Sequence, residues 1–170
     1  MTGLSVRRAD PTDFAAVARL TVAAYEADGQ LKGENGYGVV LADVATRAET
    51  GEVLVAVDEA TGEVLGAVTF VLPGSPYAEL CGPGEAEFRM LAVDPSVQGR
   101  GAGAALVRAC VSRATELGCS AVVICVRSGM AATAHRLYER MGFVRVPEKD
   151  WSPLPGVMLL GLRLDLTGRA

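Results

Sequence analysis

Two periodicities organise this chain. Apolar and polar residues alternate in LSVRRA, from Leu4, and in EAEFRMLAV, so both stretches read as strands. In the second, strict alternation puts Glu87, Arg89, Leu91 and Val93 on one face and Phe88, Met90 and Ala92 on the other. The apolar runs EVLVAVD and EVLGAVTFVL, joined by EATG, read as a β-hairpin, and AVVICV as a strand covered on both faces. FVRV and VMLLGLRLDL supply two more strands around the loop PEKDWSPLPG.

Helical spacing fills the intervals. Asp10-Pro11 offers an N-cap and a first-turn proline to a helix that carries Phe14, Val17, Ala18, Thr21, Ala24 and Tyr25 on one face and ends at Asp28-Gly29. GQLKGENGYG reads as a loop by its glycines, VVLADVATRAET as a shorter helix and PGSPYAELCGPG as a turn-rich connection. In AALVRACVSRATEL, Leu106, Cys110, Ala114 and Leu117 fall near one stripe. Met130, Ala134, Leu137 and Met141 make another, which Gly142 closes as a left-handed cap. With no linker, repeat or low-complexity tract, the prediction is a single α/β domain over residues 1–170, with about seven strands and about four helices.

Composition then removes several classes of function. Half of the 170 residues are apolar, enough for one substantial core. A net charge of -4 without a basic run argues against a nucleic-acid partner. MTGLSVRRADPTDF has no apolar run after a basic start, and no stretch reaches the roughly 18 apolar residues of a membrane span, so no membrane partner and a cytoplasmic location are expected. Cys81, Cys110, Cys119 and Cys125 lack CxxC spacing and His135 is the lone histidine; no metal site is expected, and the cysteines read as small buried apolar residues.

VDPSVQGRGAGAALV, residues 93–107, exposes much bare backbone just before a helix. A helix N-terminus has unpaired N–H groups and partial positive charge, so a glycine-rich entry suits a phosphate. The stretch is not a Walker A loop, because Ala104-Ala105 stand where Lys-Ser/Thr is needed. Gly99-x-Gly101-x-x-Ala104 fits the dinucleotide pattern, but DPSVQ separates it from its strand and the next strand ends Val126-Arg127 without the ribose-binding acid. An arginine there keeps an NADP-binding reductase as an alternative.

LAVDPSVQGRGAGAALV also resembles the acyl-CoA signature of the GNAT superfamily, the general control non-repressible type of N-acetyltransferase, through Gln98, Gly99, Arg100, Gly101, Ala102 and Gly103. A second family element, a helix end of the form A-x-x-L-Y-E-x-x-G-F, is matched by Ala134, Leu137, Tyr138, Glu139, Gly142 and Phe143. The resemblance is close over residues 85–145 and implies the GNAT fold: a mixed, mostly antiparallel sheet whose splayed central strands bind acyl-CoA.

By that resemblance the co-substrate is acetyl-CoA, and the strand Glu87 to Val93 lends it unpaired backbone. The Leu91 amide would face the thioester carbonyl, Val93 would pair with the pantetheine amide, and the amides from Gln98 to Ala104 would hold the pyrophosphate. An N–H aimed at a developing oxyanion stabilises it, and loss of one such donor costs about 3 to 4 kcal/mol. Arg100 would add a charge-assisted phosphate contact, or is a solvated arginine at a helix start.

Direct attack by a primary amine in a ternary complex needs a base, since an alkylammonium must first lose a proton. Glu87 occupies the strand position where many relatives carry that base; the alternative is an exposed glutamate or a partner for an arginine, with Glu79 and Glu85 as weaker substitutes. Tyr138 matches the family's general acid for the departing thiolate, against a packing role beneath Phe143. His135 as base has a simpler reading as an edge residue of an amphipathic helix. Many relatives carry asparagine where this chain has Ala131, and Arg127, Ser128 and His135 are candidates to replace its contact.

The acceptor, a small-molecule amine or a protein or peptide amine, is less legible. In the family the loops that here hold Tyr37 with Glu34, and Trp151 with Glu148, Lys149 and Asp150, shape its pocket. Their acids, with Glu79, Glu85 and Glu87, favour a cationic amine, and Trp151 either stacks on the acceptor or covers a sheet edge. A monomer or a homodimer paired through the last strand fits the pattern, and an acyl-CoA sensor without turnover is the non-enzymatic alternative.

Overall fold

A computed structural model of the chain describes residues 3–31, 36–97, 99–129 and 131–167. Strand β1 (Leu4–Arg8) turns into helix α1 (Phe14–Ala27) through a capping box, in which the Asp10 side chain accepts from the Thr12 amide at 2.8 Å and Asp13 accepts from the Asp10 amide at 2.9 Å. Two helices, α2 (Tyr37–Ala42) and α3 (Val44–Thr50), stand where one was expected. Asp43 divides them: its ψ of 73° leaves the helix, and its carboxylate accepts the Thr46 amide at 3.3 Å as the cap of the second.

Strands β2 (Glu52–Asp58) and β3 (Val64–Val71) form the expected hairpin. Then follow β4 (Glu85–Val93), α4 (Ala102–Glu116), β5 (Ala121–Arg127), α5 (Ala132–Arg140), β6 (Val144–Arg145), β7 (Trp151–Leu154) and β8 (Val157–Asp165). The sheet has eight strands rather than about seven, in the order β1-β2-β3-β4-β5-β8-β6, with β7 paired to β8. The extra strand lies in WSPLPG, where no alternation announces it. It is held from outside its own sequence, by pairing with β8 and by Asp150, which accepts from the Arg145 guanidinium at 2.7 Å and from the Gly161 amide at 2.8 Å.

Helices cover both faces. Leu106, Val107 and Cys110 of α4, with Tyr138 and Phe143, pack on Phe70, Phe88, Val122 and Ile124. Val17 and Leu20 of α1 and Val44 of α3 pack on Val53, Val55, Ala67 and Ala92 on the other side. The sheet is antiparallel except between β4 and β5 among the described residues.

Two irregularities of β4 create the site. First, Ala67 faces Ala92 but Thr69 faces Arg89, so β4 carries one extra residue, a bulge at which Met90 adopts φ 58°. The expected alternation therefore fails at its middle: Phe88 shares the α4 side with Leu91 and Val93, while Ala92 joins the α1 side. Glu87 and Leu91, expected on one face, lie on opposite ones, because a one-residue insertion exchanges faces in a structure of period two. Second, β4 pairs with β5 only through Glu85–Ala121, Ala86–Val122 and Glu87–Val123, after which the strands part.

Candidate active site

Two cavities open in this splay. The larger, about 480 Å³, runs along the start of α4; the smaller, about 190 Å³, lies over the diverging strands. They share Tyr25, Gln30, Leu91, Ala131 and Ala134 as walls and so form one groove.

Local sequence shapes the larger cavity. Gly101 caps α4 with φ 81° and Gly99 has φ 87°, a region an L side chain rarely enters, although no neighbouring atom would obstruct a Cβ at either. The first α4 bond runs from the Ala105 amide to the Gly101 carbonyl at 3.0 Å, leaving the amides of Ala102, Gly103 and Ala104 without helical partners in the cavity wall. Arg100 lines it too, and ion-pairs with Asp58 at 2.7 Å. Gln98 lies outside the described residues, as do Glu34 and Met130. Further along, the Asp94 amide bonds to the Leu65 carbonyl at 2.8 Å, so antiparallel alternation turns the Val93 N–H and C=O away from β3 and into the splay. Glycine freedom, a helix N-terminus and a free strand edge thus make a continuous backbone cradle suited to a phosphate and an amide-bearing arm.

Tyr138 lines the smaller cavity and is 5% exposed. The end of α5 places it: Gly142, with φ 100°, lets the Phe143 amide reach the Tyr138 carbonyl at 3.0 Å and the Gly142 amide reach the Glu139 carbonyl at 3.1 Å, a Schellman motif. The Phe143 and Phe88 rings pack on Tyr138 with centroids 5.8 Å away in each case. Tyr138 therefore both packs beneath Phe143 and lines the cavity. Burial raises the phenol well above its usual range, so it holds its proton at neutral pH.

Glu87 is not in the wall of either cavity. Its side chain is fully buried, and Oε1 accepts from the amides of Glu79, Leu80 and Cys81 at 2.9, 2.8 and 3.1 Å. This corrects the expectation that Glu87 faces the reacting end of the groove. The carboxylate present there is Glu79: Oε1 lies 3.2 Å from Arg89 Nε and 3.5 Å from Cys125 Sγ. Burial raises its proton affinity, Arg89 opposes this and the Glu87 charge reinforces it.

Two arginines in that wall, Arg89 and Arg127, change the expected acidic character. Arg89 donates to the Tyr77 carbonyl at 3.1 Å and to the Tyr37 hydroxyl at 3.4 Å as well as meeting Glu79, and Arg127 donates to the Gln30 carbonyl at 2.6 Å. Of the other expected acids, Glu85 pairs with Arg163 at 2.6 Å and Asp150 with Arg145 at 2.7 Å, and neither they nor Glu148 line the cavity. Trp151 and His135 line neither cavity. The position of Arg89 was legible, two residues past Glu87 on the same face; Tyr25 was hidden, since it looked like one more residue of the α1 apolar stripe. No group of three or more histidine, cysteine or acidic side chains is placed to hold a metal ion among the described residues, nor is any described helix long and apolar enough to cross a membrane.

The fold and its groove match one family of acyl-CoA-dependent transferases. The model of the acetyltransferase (GNAT) family matches residues 17–143, and the chain belongs to that family of acetyl-CoA-dependent acetyltransferases. Among solved structures it resembles a GCN5-related N-acetyltransferase from Kribbella flavida, with 26% identity and a TM-score of 0.69 over 96% of this chain and 98% of that one. Two more distant likenesses support the fold alone. The yncA protein of Salmonella typhimurium, solved with its cofactor acetyl-CoA, shows 23% identity and a TM-score of 0.67 over 99% of this chain and 97% of that one. The NatC complex bound to Gag peptide and CoA contains a chain with 22% identity and a TM-score of 0.68 over 98% of this chain and 100% of that one. A search of curated proteins finds no match.

Proposed function

We propose that the protein is a single-domain N-acetyltransferase that moves an acetyl group from acetyl-CoA to a primary amine by direct attack in a ternary complex. The observation that carries this reading is the continuity of the two cavities at Leu91, which joins the backbone cradle to Glu79 and Tyr138. Acetyl-CoA supplies the activated thioester. The α4 amides and Gly99 to Ala104, with Arg100 at the rim, take the pyrophosphate, and Gln98 belongs to the same role. Val93 takes the pantetheine amide, and Leu91 donates to the carbonyl oxygen as it gains charge.

Glu79, with its raised proton affinity in a buried wall, takes the ammonium proton and releases the amine for attack. Tyr138, held protonated by burial, gives a proton to the departing sulfur. Two protons leave the nitrogen: Glu79 passes the first to solvent, and the second restores Tyr138, whose own proton now sits on sulfur. The acceptor is a small-molecule or peptide amine, and free cysteines suit a reducing, cytoplasmic setting for a monomer or homodimer.

The test is thiol release from acetyl-CoA with a panel of phenethylamine, tyramine, spermidine, free amino acids and short peptides, with products identified by mass. Turnover with an amine supports the reading. Tight acetyl-CoA binding without turnover of any amine supports the sensor.

A further inference from the structure

The loop between β3 and β4 is laid on β4 residue against residue. Glu85 Oε1 accepts the Gly82 amide at 2.8 Å, Glu87 takes the amides of Glu79 to Cys81, and Arg89 holds the Tyr77 carbonyl at 3.1 Å. The odd residues of β4 thus grip the loop in reverse order before the bulge begins. Glu87 is the centre of this grip. Three consecutive N–H groups converge on one oxygen, the arrangement of a backbone anion nest, but the anion here is a side chain of the protein. Its Oε2 has no partner among the described residues, and the group is 0% exposed.

A buried carboxylate with three donors on one oxygen is costly to remove, because all three amides would be orphaned together. We propose that Glu87 is a positioning residue: it clamps Glu79, Leu80 and Cys81 by their backbone so that the Glu79 side chain faces the acceptor cavity beside Cys125 and Arg89. The inference rests on the reading of Glu79 as the base. The groups facing Glu79 are Arg89 and Glu87 from β4 and Cys125 from β5. Tyr25, Tyr37, Arg127 and Tyr138 stand elsewhere in the same wall. Glu87 also acts on Glu79 through its charge, which disfavours a second negative charge nearby, and the Cys81 thiol on the same loop is pushed up to about 12 by burial and by Glu87.

Clamp and base separate experimentally in the full chain. The measurements are amide hydrogen exchange at residues 79–81 and the pH profile of kcat/KM for acetyl-CoA with the fastest amine of the panel. Glu87→Gln keeps an oxygen for the three amides, so exchange stays within about threefold of wild type. Its kcat/KM falls by less than about fivefold, and the acid limb moves to lower pH because one neighbouring negative charge is gone. Glu87→Ala loses protection at 79–81 by at least about tenfold and kcat/KM by about 100-fold, mostly in kcat, as expected for a misplaced base. Glu79→Gln keeps the protection and loses the acid limb.

Unchanged exchange in Glu87→Ala overturns the clamp. So does a Glu87→Gln protein that keeps protection yet is as inactive as Glu79→Gln without an acid limb, since Glu87 would then be the base. If Glu79→Gln keeps both rate and acid limb while Glu87→Ala still exposes the amides, the base assignment has failed and the clamp stands alone as a structural device. Should Glu87→Ala not fold, the contrast between Glu87→Gln and Glu79→Gln decides the question.

Discussion

The Asp28 carboxylate accepts the backbone N–H of Ala131 at 2.8 Å, joining the end of α1 to the start of α5. Gln30 Nε2 braces the same oxygen at 2.7 Å. Ala131, where many GNAT relatives carry asparagine, sits at φ 57°, which costs a non-glycine residue about 1 kcal/mol. Asp28→Ala is expected to lose about 1 kcal/mol of stability, a fall of about 2 to 4 °C in Tm. Because Ala131 lies where the cavities meet, the same variant should bind acetyl-CoA several-fold more weakly. Ala131→Asn, better suited to left-handed backbone, should raise Tm. Scanning fluorimetry and titration calorimetry check both, and an unchanged Tm in Asp28→Ala refutes the strap.

Gly101→Ala should weaken acetyl-CoA binding by at least about tenfold while leaving the fold intact, because the αL cap that aims the α4 amides is strained by a Cβ. Calorimetry with acetyl-CoA reads the loss. Equal weakening in a control outside the groove, Gly118→Ala, whose φ of 77° lies in the turn after α4, would show that the effect is general strain.

Tyr138→Phe keeps the ring between Phe88 and Phe143 and removes only the hydroxyl. Turnover should drop by about 100-fold or more with acetyl-CoA affinity retained. Tyr138→Ala also removes a buried ring and should cost about 3 to 5 kcal/mol in denaturant unfolding. Undiminished turnover in Tyr138→Phe removes the hydroxyl from the chemistry.

Stability should respond to acid through Asp150. The Arg145 guanidinium, bidentate at 2.7 and 2.9 Å, and the Gly161 amide hold Asp150 at about 2, below its ordinary 3.8. A carboxylate depressed on folding stabilises the native state above its unfolded value, and that contribution is lost as pH falls through its folded value. Acid unfolding of Asp150→Asn should therefore show a shallower loss of stability between about pH 4 and 2 than wild type.

The glycine-rich entry to α4, proposed as the cofactor cradle, was legible because it is local. Gly99, Gly101 and the first turn of α4 are contiguous in sequence, and their backbone chemistry needs no distant partner. Tyr138 was legible for a similar reason, since LYERMGF contains both the tyrosine and the glycine cap that turns Phe143 onto it. The face of Leu91 was not, because alternation carries no mark of the bulge at Met90, which arises from how β3 and β4 align. The role of Glu87 was hidden for the same reason that WSPLPG hid a strand: both are decided by contacts with residues far along the chain.

By itself, the sequence determined an α/β fold, a glycine-rich entry to α4 and the glycine cap that ends α5, because each follows from short-range periodicity or from backbone freedom at named glycines, while acyl-CoA and Tyr138 were singled out by the resemblance to GNAT proteins. Only the tertiary structure decided that Glu87 turns inward to hold a loop while Glu79 faces the cavity. Which carboxylate meets the groove depends on a one-residue bulge and on three amides folded back across β4, and neither leaves a local trace.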